Sequence, residues 1–223
     1  MILEKEKIIL LHPGKTGGTS VEAALVSEYM GMTMQNFVRK YNGGDYDLMF
    51  GLDKIRNVYL QHGCLRLYEM FETKMRSYDV YCTVRRPYER VLSAYYYNGF
   101  SKRMSFEEFI KNKLGPLVRA NYYEKTTGSN AITDYPKYHI NHFAPCVLYT
   151  KRNRYKVNNI IKCESLAKDT KALLGVKLPA NKHAKTVASE HHKKHMDAYT
   201  SKKMKDTVYA LYQEDFKTFG YRK

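Results

Sequence analysis

The sequence predicts an α/β domain in which helices flank a central, mainly parallel β-sheet. Three stretches carry that reading. Residues 8 to 25, Ile-Ile-Leu-Leu-His-Pro-Gly-Lys-Thr-Gly-Gly-Thr-Ser-Val-Glu-Ala-Ala-Leu, run from an apolar strand through a glycine-rich turn into a helix. Tyr78 to Val84 repeats the pattern and passes through Arg85-Arg86-Pro87 into a second helix. The chain then closes on an amphipathic stretch from Tyr199 to Phe219. Strands that are apolar throughout belong in a sheet covered on both faces, and alternation of strands with helices supplies that cover. With 223 residues the chain has the length for one domain, residues 1–223, with a sizeable core.

The first strand, Ile8 to Leu11, is short and entirely apolar. In the turn after it, Gly14, Gly17 and Gly18 allow close approach of the backbone to an anion, and the N–H groups opening the next helix point at whatever is bound. Lys15 adds a full charge, and Thr16, Thr19 and Ser20 add hydroxyls. The turn is only half of a nucleotide-hydrolase P-loop, because Ile9 stands where Gly-x-x-x-x-Gly-Lys-[Ser/Thr] needs its first glycine. Val21 to Met30 continues as an amphipathic helix, and Thr33 to Asp53, with its Asn42-Gly43-Gly44 turn signal, reads as a surface excursion.

Asn57 to Cys64 begins as a strand and ends in a polar turn, which sets His62 at a strand mouth; Leu65 to Phe71 reads as a helical turn or two. In a parallel sheet the ligand crevice lies outside the carboxyl ends of the strands, where Lys15 also belongs, so His62 is a candidate base beside the alternative of a structural histidine. Pro87 suits the first turn of the helix after the strand Tyr78 to Val84. Arg85 leaves that strand and Ser93 lies about two turns along the helix, so a guanidinium and a hydroxyl are positioned to hold one anion. Two anion-suited strand ends in one sheet fit a ligand with two separated phosphates.

Ser105-Phe-Glu-Glu108 is a capping-box pattern, predicting a helix from Phe106 to Lys113 that ends near Gly115-Pro116. Residues 117 to 142, rich in Tyr, Asn, Thr and His, form the expected acceptor-facing segment. Cys146 to Thr150 and Asn159 to Cys163 read as two more strands, and Leu166 to Leu174 as a helix stopped by Gly175. The basic loop Leu178 to Thr186 offers Lys182 and Lys185 as phosphate contacts. His191, His192 and His195 share helical spacing, but with no third type of ligand they describe a solvated face rather than a metal site.

The formal charge of +16 calls for an anionic partner. Between Lys151 and Lys205 fifteen basic residues face four acidic ones, so part of the anion site is expected there. The four cysteines are far apart and unpaired in pattern, which points to reduced thiols. No apolar run approaches a membrane span, and the first strand starts too early to leave room for a signal peptide; a soluble, cytoplasmic protein is expected.

Two of these motifs resemble those of the sulfotransferases that use 3'-phosphoadenosine 5'-phosphosulfate (PAPS), in particular the branch containing many carbohydrate sulfotransferases. Pro13-Gly14-Lys15-Thr16-Gly17-Gly18-Thr19-Ser20 is similar to the family's Pro-Lys-Thr-Gly-Gly/Ser-Thr-Ser loop, and Arg85-Arg86-Pro87-Tyr88-Glu89-Arg90-Val91-Leu92-Ser93 to its Arg-x-Pro-x-x-Arg-x-x-Ser. The ending Tyr212 to Tyr221 looks like the family's closing helix. The resemblance implies a P-loop-like nucleotide-binding fold, with the Gly14 to Ser20 loop on the 5'-phosphosulfate and Arg85 with Ser93 on the 3'-phosphate. It further implies catalysis by Lys15 and His62, PAPS as co-substrate without a metal, and a hydroxylated acceptor, an acidic saccharide rather than nucleic acid. The chain departs from the family at Gly14, an inserted glycine, and at Cys64, where some relatives have the second histidine of His-Gly-His. The competing classes are a phosphotransferase on a degenerate P-loop, which needs magnesium and an acidic strand end, and a non-catalytic module for polyanions.

Overall fold

The structure, a computed structural model, describes residues 1–3, 5–41, 52–53, 58–59, 62–64, 77–120, 142–150, 157, 159–179 and 197–223. Its sheet has the strand order β1-β2-β5-β6, with β1 (Ile2–Leu3), β2 (Ile8–Leu11), β5 (Asp79–Val84) and β6 (Asn159–Lys162). The short β1 runs antiparallel to β2, and the other two pairings are parallel. Register sets Leu11 opposite Cys82 and Val84 opposite Lys162, so β2, β5 and β6 end along one edge.

Side-chain alternation explains why β2 is apolar at every position. Ile8 and Leu10 join one buried cluster with Val21, Leu25 and Val26 of α1 (Gly18–Met30), while Ile9 and Leu11 join another with Cys82, Val84, Cys146 and Tyr149. A third cluster is aromatic and lies among helices: α3 (Pro87–Tyr97), α4 (Phe106–Phe109), α7 (Lys202–Leu211) and α8 (Gln213–Phe219). Tyr88, Phe109, Phe143, Tyr212 and Phe216 are all buried there. Burying each such side chain contributes roughly 1.5–3 kcal/mol, so this cluster anchors α3 and with it the end of β5.

Several elements differ from expectation. Met34–Tyr41 forms a helix, α2, inside the stretch read as a surface excursion. Thr33 caps it by accepting from Asn36 N at 3.2 Å, and Phe37 is buried beneath it. Cys146 to Thr150 is not a strand: Val147–Thr150 is a helical turn, α5, because the Asp215 carboxylate accepts from the backbone N–H of both Cys146 and Val147 at 2.8 Å. Ser105 does cap Glu108, but the helix runs past Gly115 and Pro116 to residue 120. A wider π-turn over Ile110–Leu114 precedes the proline and relieves the clash its ring would make in an α-turn.

The closing stretch is two helices rather than one. It breaks at Tyr212, whose buried ring sends its hydroxyl to the Phe143 carbonyl at 2.8 Å. β3 (Leu52–Asp53) and β4 (Val58–Tyr59) form their own antiparallel pair, so His62 does not follow a strand of the main sheet. Leu166–Leu174, here α6, ends at Gly175 as expected. The four cysteines are free thiols. Residues 65–71, 121–141, Lys182, Lys185, His191, His192 and His195 lie outside the described residues. Among the described residues no helix is long and apolar enough to cross a membrane.

Candidate active site

The site is built on the loop between β2 and α1. Lys15 takes a positive φ of 66°, and His62 one of 63°. A side-chain residue held in the left-handed region costs about 1 kcal/mol or more, and such positions concentrate where function over-determines the backbone. Two of the loop's glycines answer to histidine rings. A Cβ on Gly14 would lie 2.1 Å from Cδ2 of His142, and a Cβ on Gly18 would lie 2.1 Å from Cδ2 of His12. The extra glycine at position 14 is therefore the space that His142 occupies.

Thr16 is fully buried, and its hydroxyl is committed within the protein. It donates to the Pro13 carbonyl at 2.6 Å and so accepts from the Thr83 hydroxyl, also at 2.6 Å, which stitches the loop to β5. Thr19 is exposed and Ser20 half-buried at the start of α1, where hydroxyls remain open to a ligand. Arg90 makes a second tie. It is 1% exposed, and its Nε donates to the Gly14 carbonyl at 2.9 Å. The Arg-x-Pro-x-x-Arg pattern thus reaches the glycine loop through its second arginine, a link that sequence spacing could not reveal.

Lys15 and Arg85 come from the ends of neighbouring parallel strands and act on each other electrostatically. Burial, and then the Arg85 guanidinium, lower the Lys15 ammonium below its ordinary value. Arg85 is 8% exposed; its Nε forms an ion pair with Glu89 Oε2 at 3.7 Å, too long for a hydrogen bond, and that nitrogen has no hydrogen-bond partner. Two cations held together with an unsatisfied buried donor are a place where an anion relieves both repulsion and desolvation. Ser93 sits half-buried on α3. At the end of β6, Cys163 Sγ would be 3.5 Å from a Cβ on Gly17, and burial pushes that thiol up to about 11.

Beside the loop stands a cluster of imidazoles. His62 donates from Nδ1 to the His12 carbonyl, so in its neutral form the lone pair is on Nε2, the state a base requires. The His12 ring meets His62 edge-on at 4.6 Å, and its Nδ1 lies 3.1 Å from Glu22 Oε1. Burial raises the Glu22 carboxyl, but the charge of His12, the hydrogen bond to it and the Met1 ammonium together leave it below its ordinary value. His142, 5.5 Å from His62 between ring centroids, also packs on Tyr97, and Lys15 Nζ rests 3.7 Å from the centre of that same tyrosine ring. His142 is the last residue of the stretch 117 to 142 read as acceptor-facing, whereas no spacing pointed to Asn98 or Tyr97. Cys64, the other residue flagged near His62, is buried in the sheet core with Cys82 and Cys146.

Among the described residues no group of histidine, cysteine or carboxylate side chains could hold a metal ion. A family model described as the sulfotransferase family matches residues 1–222. No match was found among curated proteins or among solved structures.

Proposed function

Because the chain belongs to the sulfotransferase family, whose members transfer sulfate, we propose that it moves a sulfuryl group from PAPS to a hydroxyl of an acidic saccharide, with residues 1–223 acting as one domain. The observation that carries this reading is the pairing of Lys15 with Arg85 at adjacent strand ends, one cation on the glycine loop and one leading into α3. That spacing suits a nucleotide with phosphate at both its 5' and 3' ends, and β5 hands over to an arginine rather than to the carboxylate a magnesium-dependent phosphotransferase needs.

In this mechanism the loop N–H groups with Thr19 and Ser20 hold the 5' end, and Arg85 with Ser93 holds the 3'-phosphate. Thr16 acts from behind by fixing the loop to Thr83. Lys15 stabilises charge gathering on the oxygen that bridges phosphorus and sulfur, where stabilisation accelerates the step. His62 takes the acceptor's proton at Nε2. Lys182 and Lys185 are further phosphate contacts of the proposal. The positive charge of the chain favours an acidic acceptor.

Isothermal titration with 3'-phosphoadenosine 5'-phosphate, beside ATP with magnesium, tests the reading. Tight binding of the first and none of the second is expected. Binding of ATP alone would turn the assignment toward phosphotransfer, and binding of neither would leave a polyanion-binding module.

A further inference from the structure

Asn98 fixes the tautomer of His142. The Asn98 amide donates from Nδ2 to the Ala94 carbonyl at 2.7 Å, and since a carbonyl only accepts, Oδ1 is the atom facing His142 Nδ1 at 3.2 Å. Nδ1 must then carry the hydrogen, and the neutral ring keeps its lone pair on Nε2. The His12 carbonyl imposes the same tautomer on His62. Two imidazoles, 4% and 5% exposed and 5.5 Å apart, thus share one wall of the site, each with its basic nitrogen at Nε2. His142 is also packed against the loop itself. It fills the space beside Gly14, and it meets the Tyr97 ring that carries Lys15 Nζ.

Resting on the sulfotransferase reading, the geometry points to His142 as a second base of the transfer, receiving with His62 the proton that the acceptor hydroxyl gives up. The acceptor oxygen bonds to sulfur as the bond from sulfur to the bridging oxygen breaks. The electron pair of that bond stays on the departing phosphate, and the proton stays on the imidazole pair. Ionisable groups face it from the neighbouring elements: His12 with Glu22 behind it, Tyr97 with Lys15 upon it, and Arg90 through Gly14. Asn98 presents a neutral oxygen to Nδ1, which makes it the residue through which the basicity of His142 can be changed alone.

The test uses the full chain and the hydrolysis of PAPS, with water standing in for the acceptor and release of 3'-phosphoadenosine 5'-phosphate followed against pH. His142→Gln retains polarity but cannot take up the proton, and it should lower kcat about 100-fold with KM for PAPS and Tm unchanged. Asn98→Asp sets a carboxylate on Nδ1–H and should move the acid limb of kcat upward by roughly one pH unit. In the His142→Gln background the same change should move nothing. Full kcat in His142→Gln, or an equal shift from Asn98→Asp with and without His142, overturns the proposal and leaves the sulfotransferase reading standing. Should His142→Gln lower Tm, Asn98→Asp decides by itself, and an unmoved acid limb overturns the proposal. A wild-type protein that binds no 3'-phosphoadenosine 5'-phosphate and turns over no PAPS overturns both.

Discussion

Lys15 and Arg85 are both cations at strand ends, yet they should fail differently when removed. Lys15 sits on the glycine loop, which the proposed transfer sets beside the developing charge, so Lys15→Ala should lower kcat by about 100- to 1,000-fold while 3'-phosphoadenosine 5'-phosphate still binds. Arg85 leads into the helix that carries Ser93, and Arg85→Ala should raise the Kd for that nucleotide with a smaller effect on kcat. Titration and single-turnover kinetics separate the two; variants that both keep normal Kd and kcat would void the assignment of either residue. Both residues were legible in the sequence because each stands in a motif with fixed spacing. His142 was not. It is joined to the site by its fit against Gly14 and its bond to Asn98, contacts between positions far apart in the chain that no local pattern encodes. Thr16 shows the reverse case, a residue in the right motif whose hydroxyl serves the fold.

Among the elements, α5 shows how an apolar run is decided by a partner elsewhere. Cys146-Val-Leu-Tyr-Thr150 suits a strand by composition, but Asp215 supplies two backbone acceptor contacts at its start and the run turns into a helix. Burial pushes the Asp215 carboxyl up to about 6 from its ordinary 3.8, although Arg90 opposes that shift. A group raised in the folded state contributes stability that is present below its unfolded value and lost as pH rises through its folded value. Asp215→Asn should therefore destabilise the protein more at pH 5 than at pH 7.5, by an amount on the order of 1–3 kcal/mol for the disrupted backbone contact. Urea unfolding of both proteins at the two pH values measures it, and a loss that grows toward pH 7.5 would contradict the assigned direction. The strand β2 was legible for the opposite reason: apolar on both faces, it reads alike from either side. The break at Tyr212 was not, since it depends on a hydroxyl bond to the Phe143 carbonyl far away in the chain.

For the whole molecule, the α/β order of elements and the common edge of β2, β5 and β6 follow from the alternation of apolar strands with helices, and the sulfotransferase family match spans the chain that shows it. The basic composition is visible at once but names no site, because charge acts over the surface while the proposed chemistry involves a few residues along the edge shared by β2, β5 and β6. One feature of that edge offers a way to watch it. The chain contains 21 tyrosines and no tryptophan, so its native emission comes from everywhere at once. Tyr97 is 60% exposed and has the Lys15 ammonium on its face. Tyr97→Trp would install the chain's sole indole under that ammonium, and its fluorescence should change as 3'-phosphoadenosine 5'-phosphate draws the lysine away. The resting place of one side chain then becomes an optical signal, with stopped-flow time resolution, for the loop taking hold of its ligand.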